Sequence, residues 1–153
     1  MTERDDQPIR LCHAAAAILL SVDGRYLLQH RDDKPGIFFP GYWCCFGGAL
    51  DAGETPPDGL RRELAEELAL DIDPATMRYV ATTRFDVPSS EGRSFDRTYF
   101  EAVLSDDQIA AIRLGEGQGH GLFHPEEALG PLRLTPYDSF ALWIHRNHHR
   151  FCW

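Results

Sequence analysis

The stretch Gly48-Ala49-Leu50-Asp51-Ala52-Gly53-Glu54-Thr55-Pro56-Pro57-Asp58-Gly59-Leu60-Arg61-Arg62-Glu63-Leu64-Ala65-Glu66-Glu67-Leu68-Ala69-Leu70 governs the reading of the whole chain. Its second half predicts a helix over Pro56 to Leu68. Thr55 is placed to cap it, Pro56 suits the first turn, and Asp58 completes a capping-box pattern. Leu60, Leu64 and Leu68 form an apolar stripe that can pack on a sheet. Glu63, Glu66 and Glu67 stand at i, i+3 and i+4, so their carboxylates share another face. Acids so closely spaced repel one another unless a positive charge sits among them. A hard divalent cation with oxygen ligands supplies that charge; the plainer alternative is a solvated acidic face. Arg62, beside Glu63 and four residues before Glu66, can orient a carboxylate through hydrogen bonds. Gly47 and Gly48 allow backbone to approach a metal or phosphate closely.

Working outward, Tyr42 to Phe46 reads as a short aromatic strand ending at Gly47-Gly48, preceded by a loop from Arg31 to Gly41. Leu11 to Ser21 and Arg25 to Arg31 read as a strand hairpin around Asp23-Gly24. Ala14 to Ala17 have weak strand propensity, which leaves a helix open there. Met77 to Pro88 and Ser94 to Leu104 read as two further strands, separated by Ser89 to Arg93. Asp106 to Ile112 reads as a short helix, Gly115 to Gly121 as a flexible glycine-rich loop, Leu122-Phe123 as strand-like, and Pro136 to His148 as a final amphipathic helix. Strands interspersed with three helices give an α+β fold, a mixed sheet packed between helices. Residues 11–153 are expected to form one domain behind a polar, loose segment, residues 1–10.

The composition, 43% hydrophobic and 25% charged, is that of a globular protein. Fifteen Lys and Arg stand against 24 Asp and Glu, a formal charge of −9, which argues against binding a long nucleic acid. A small phosphorylated substrate stays compatible, because bound metal can supply positive charge. The apolar run Ala14 to Leu20 is too short to span a membrane, and no secretory leader is evident at the start, so a cytoplasmic location is the default expectation. Cys12, Cys44, Cys45 and Cys152 form no CxxC pair, which disfavours structural zinc; reduced thiols are expected.

The register of the opening stretch closely resembles the Nudix box: glycine, five residues, glutamate, seven residues, then Arg-Glu-apolar-any-Glu-Glu-any-Gly-apolar. Every fixed position matches save one, since Ala69 stands where the family has glycine. The resemblance implies a Nudix-type α/β/α sandwich. It also implies that Glu63, Glu66 and Glu67 bind metal, assisted by a backbone carbonyl at Gly47 or Gly48, while Arg62 and Glu54 support the helix and loop. The implied cofactor is Mg2+, with Mn2+ as a substitute. The implied reaction is attack of metal-activated water on phosphorus, in a nucleoside diphosphate linked to another moiety: a nucleoside triphosphate or a nucleotide sugar. The rival reading is a non-catalytic Nudix domain that senses a nucleotide; retention of all three glutamates disfavours it. RNA decapping is disfavoured by the acidic balance. The expected partner is a small nucleotide, and a homodimer is compatible with the sequence.

Outside the box, Glu116 lies in Gly115-Glu116-Gly117-Gln118, which resembles a stretch that carries a further glutamate in Nudix hydrolases clearing damaged nucleotides. By that resemblance Glu116 or a box glutamate is the general base; the alternative is an exposed loop acid. Phe38, Phe39, Tyr42, Trp43 and Phe46 are either core or a base-stacking surface, so Tyr42 and Trp43 are candidate substrate contacts. His120 is a third candidate. His145, His148 and His149 read as a solvated helix end rather than a metal site.

Overall fold

The computed structural model describes residues 11–86 and 93–152. Its first strand, β1 (Ala14–Ser21), owes its conformation to position rather than propensity. One edge pairs in parallel with a later strand from Ala14↔Arg97 through Ser21↔Leu104. The other edge is shared: Ala14 to Ala17 pair with the strand Phe46–Ala49, and Leu19-Leu20 with the strand Tyr26–His30, both antiparallel. Both faces are covered as well. Ala15, Ala17 and Leu19 enter one core, and Ala16 and Ile18 the other. A strand enclosed on every side reads as an unbroken apolar run, and this rules out the helical alternative for Ala14 to Ala17.

The remaining strands are β2 (Tyr26–His30), β3 (Trp43–Cys44), β4 (Phe46–Ala49), β5 (Arg78–Asp86), β6 (Ser94–Leu104) and β7 (Gly119–Phe123). They form one mixed sheet ordered β3-β2-β1-β6-β5, with β4 also on β1 and β7 also on β2. On one face lies α1 (Pro56–Leu68), whose Leu60, Leu64 and Leu68 are fully buried against Leu19, Phe46 and Phe100. The opposite face is covered by α3 (Pro125–Ala128) and α4 (Pro136–Asn147), through Ala128, Ala141 and Leu142. The short α2 (Asp106–Ala110), closed by a Ser105–Gln108 capping box, follows β6. The result is the α/β/α sandwich, with four α-helices among the described residues.

Three local expectations are corrected. The aromatic strand Tyr42 to Phe46 is two strands: β3 stays on β2, whereas β4 crosses to β1 and carries Gly47 and Gly48 with it. Cys45 sits at the break and gives its N–H to Asp138 of α4 (2.9 Å). The Gly115 to Gly121 segment is not a free loop. Gly115 N donates to Glu67 O (2.8 Å), Gln118 N to His30 O (2.8 Å), and Gly119 to Gly121 belong to β7. Finally, His145 is not a solvated helix end: its ring bridges Tyr26 Oη and the Glu101 carboxylate. The N-terminal segment 1–10 and most of the Ser89 to Arg93 connection lie outside the described residues. No helix among the described residues is long and apolar enough to cross a membrane.

Candidate active site

Because β1 exchanges β2 for β4 along one edge, the sheet opens beside Gly47. A cavity of about 470 Å³ lies there, reaching Gln29 of β2, Gly47 and Gly48 of β4, Glu63 and Glu67 of α1, and Arg97 of β6. Gly47 is required by close approach: a Cβ there (φ +129°) would meet Ala15 O at 2.2 Å, so β4 can lie against β1 only without a side chain at this position. A Cβ on Gly48 would meet the Glu63 carboxylate at 2.6 Å, so glycine leaves that carboxylate its place beside the sheet.

Arg62 ties the loop to the helix. Nε and Nη2 form a fork on Glu54 (2.8 and 2.9 Å), Nη2 also reaches Ala49 O (3.0 Å), and Nη1 donates to Glu63 Oε1 (2.8 Å) and, more weakly, to Glu66 Oε2 (3.5 Å). This clamp holds the Glu54 carboxyl down at about 2, mainly through the Arg62 hydrogen bonds. The donors of Arg62 are thus turned towards the loop and α1.

Glu67 is 6% exposed and accepts from Gly47 N (2.8 Å). Burial pushes its carboxyl up to about 8 despite that bond, and the charges of Glu63 and Glu116 push the same way. Glu63 is also raised, first by burial, against the pull of Arg62, with Glu66 and Glu116 adding repulsion. Glu116 lines the cavity, its backbone oxygen held by Gln29 Nε2 (3.1 Å). The structure therefore brings Gly48, Glu63, Glu67 and Glu116 to one cavity, whereas Arg62 and the exposed Glu66 do not line it and connect to it through the Arg62–Glu63 bond. Among the described residues no three His, Cys, Asp or Glu side chains close into a ready cage.

Tyr42, Trp43 and His120 do not line this cavity. Trp43 stacks on His30 (4.7 Å between centroids) and meets Phe123 edge-on, Tyr42 lies under the Arg133 guanidinium (4.1 Å), and His120 is exposed on β7. Phe38, Phe39, Phe85, Phe95 and Tyr137 line it instead. Sequence reading passed over Arg97 and Asp138 altogether. Asp138, three residues after Thr135, looks like an ordinary acid in a first helical turn. It is in fact fully buried, accepting from Cys45 N, Thr135 Oγ1 and Tyr99 Oη, with Arg97 beside it.

The family model of the NUDIX domain matches residues 11–143 of this chain. The chain belongs to the Nudix family. Curated relatives include an RNA pyrophosphohydrolase of Gluconacetobacter diazotrophicus, 39% identical over 46% of this chain and 43% of that protein. Another is the nucleoside triphosphatase NudI of Escherichia fergusonii, 48% identical over 33% of this chain and 35% of that protein. The chain thus spans less than half the length of these curated relatives. The MutT protein of Methanosarcina mazei Go1 superposes with a TM-score of 0.73 at 17% identity, covering 92% of this chain and 96% of that one. The E. coli ORF135 protein does so at 0.69 and 26%, covering 92% of each chain. These neighbours share the fold described above.

Proposed function

We propose that this Nudix domain is a divalent-metal-dependent pyrophosphohydrolase that cleaves a phosphoanhydride bond in a nucleoside diphosphate linked to another moiety, a nucleoside triphosphate or a nucleotide sugar. The observation that carries the reading is the cavity itself, with crowded box carboxylates and glycine backbone opposite an aromatic lining. The donor set fits Mg2+, or Mn2+ in its place. Its side chains are hard oxygens, and Mg2+ is commonly held by one or two carboxylates plus substrate phosphates and solvent rather than by a closed protein cage. Glu63, Glu66 and Glu67, with the Gly48 carbonyl, are the groups that would hold it. When bound, the ion neutralises phosphate charge and acidifies water.

The chain's own residues do the rest. Arg62 fixes Glu63 against the helix, and Gly47 N fixes Glu67. Glu116, on a segment tied to β2 and α1, is placed to hold or deprotonate the attacking water. The aromatic lining receives the base and excludes solvent. A screen of nucleoside triphosphates, nucleotide sugars, dinucleotides and 5′-triphosphorylated RNA with Mg2+, with phosphate read after phosphatase coupling, tests the reading. Chelator-sensitive release from the small nucleotides is expected. Release from RNA alone, or from none of the panel, would overturn the assignment.

A further inference from the structure

Arg97 lines the cavity, yet the hydrolytic reading gives it no task. Its guanidinium is fixed from two directions. Nε donates to Tyr99 Oη (3.0 Å) and Asp138 Oδ1 (3.3 Å), Nη2 lies 3.3 Å from the same carboxylate oxygen, and the group sits over the Tyr137 ring at 4.9 Å. Asp138 is fully buried with both oxygens already accepting, so it holds the arginine and is not free to meet a ligand.

An arginine has five N–H donors and no acceptor. Here Nε is engaged and Nη2 turns one N–H to Asp138, while Nη1 makes no hydrogen bond to another described residue, which leaves Nη1 and the second N–H of Nη2 as a side-by-side pair of donors. The side chain is 16% exposed, and no fully enclosed side-chain nitrogen or oxygen among the described residues lacks a partner, so Nη1 is not sealed from the cavity. Of the neighbouring charged groups on the wall, Asp96 takes the fork of Arg84, and Arg31 turns Nε to Phe38 O and Nη1 to Cys44 Sγ. The lining around Arg97 is aromatic, a surface that favours the π-face of a flat ring.

We propose that Arg97 reads the base of the bound nucleotide, and that the cavity selects bases presenting two adjacent acceptors over bases that present a donor there. Guanine offers O6 and N7, and cytosine O2 and N3. Adenine sets its N6 amino group beside N7, and uracil sets N3–H between its carbonyls, so each would turn a donor towards a donor-only group. The proposal rests on the nucleotide reading of the cavity and is independent of whether the bond is cleaved.

A phosphate-binding arginine would serve all four nucleotides alike, so its replacement by lysine would weaken them together and leave their order unchanged. A base-reading fork is lost in lysine. Calorimetric titration of GMP, CMP, AMP and UMP, with Mg2+ present, into the native protein and Arg97→Lys separates the two. The lysine also keeps a cation beside buried Asp138, and a melting curve checks that the variant folds. In the native protein GMP and CMP are expected to bind roughly 10- to 100-fold tighter than AMP and UMP. In Arg97→Lys the four should converge to within a few-fold. Equal affinities in the native protein, or no binding of any monophosphate, overturn the proposal whatever the variant does. A variant that weakens all four alike while keeping the preference also overturns it and moves Arg97 to the phosphate end. The native preference without hydrolysis of any triphosphate, nucleotide sugar or dinucleotide would sustain the base reading and remove the enzymatic one.

Discussion

Two carboxylates are buried at this cavity, and they are built in opposite ways. Asp138 is fully enclosed and surrounded by donors: Cys45 N, Thr135 Oγ1, Tyr99 Oη and the Arg97 guanidinium. Glu67 is nearly as enclosed but has one donor, Gly47 N, and faces the charges of Glu63 and Glu116. A buried charge is tolerated when it is paired and hydrogen-bonded. Asp138 meets that condition within the protein, joining the break between β3 and β4 to β6 and α4. Glu67 does not, and its carboxyl is pushed up to about 8, mainly by burial. The difference separates an acid that holds the fold from one left short of positive charge.

Glu67→Gln should remove nearly all hydrolytic activity, because an amide is a weaker ligand for a hard cation. Its metal-free melting temperature near pH 8 should equal or exceed the native value, since a neutral group replaces a poorly solvated acid. Activity near the native level with saturating Mg2+ would show that Glu67 is as structural as Asp138. Glu116→Gln should lower the maximal rate by roughly two to four orders of magnitude, with folding and substrate affinity changed far less. An unaltered rate from neutral to alkaline pH would return the base to a box glutamate.

Asp138→Asn should act in the opposite sense, on stability first. The new amide turns N–H groups towards existing donors and leaves Arg97 without its counter-charge. Breaking a buried pair of this kind costs about 3–5 kcal/mol. Urea unfolding measures it, and a loss below about 1 kcal/mol would mean that the network holds little.

The contrast also explains what the sequence could and could not disclose. Glu63, Glu66, Glu67, Arg62 and Gly48 lie within one stretch, so helical periodicity and glycine placement made their grouping legible. The packing face of α1 was legible too, from its leucine stripe, whereas the division of the core between the two faces of β1 was not. Arg97 and Asp138 are 41 residues apart, and they meet only because β6 runs parallel to β1 while α4 folds back across the same face. No local pattern encodes that meeting. The split of Tyr42 to Phe46 escaped for a similar reason: Cys45 breaks the strand through a long-range bond to Asp138, not through a turn residue. His145 was misread because its partners, Tyr26 and Glu101, come from two other strands.

Stability against pH sharpens the comparison further. The folded-state pKa of Glu67 is raised from 4.5 to about 8, so between those values the folded chain binds more protons than the unfolded one. Stability then falls as pH rises through that window. Glu63 adds in the same direction. In chelator the melting temperature should therefore decline from mildly acidic to mildly alkaline pH, by the equivalent of a few kcal/mol at most. Mg2+ should raise the melting temperature more at the alkaline end, where the carboxylates are ionised. A Mg2+ effect that is equal at both ends would show that the cation does not engage Glu63 or Glu67.

The smallest effect concerns the end of the helix that carries the acids. Ala69 caps α1 in the left-handed conformation, φ 56° and ψ 31°, with its N–H on Ala65 O (3.1 Å). A non-glycine residue held there costs roughly 1 kcal/mol, because its Cβ crowds the following carbonyl. Glycine removes that crowding but adds freedom to the unfolded chain, which offsets part of the gain. Ala69 is exposed, so its methyl contributes little packing to set against the strain. Ala69→Gly should therefore be neutral or stabilising by at most about 1 kcal/mol, with hydrolysis retained. The cap is not an isolated feature. The next carbonyls inward, Leu68 O and Glu67 O, accept from Arg113 N and Gly115 N, so the same helix end also positions the segment bearing Glu116. A clear fall in melting temperature in Ala69→Gly would mean that a stiff alanine at the cap holds this junction in place. A matching fall in the rate would then make the cap part of the arrangement that keeps Glu67 and Glu116 together.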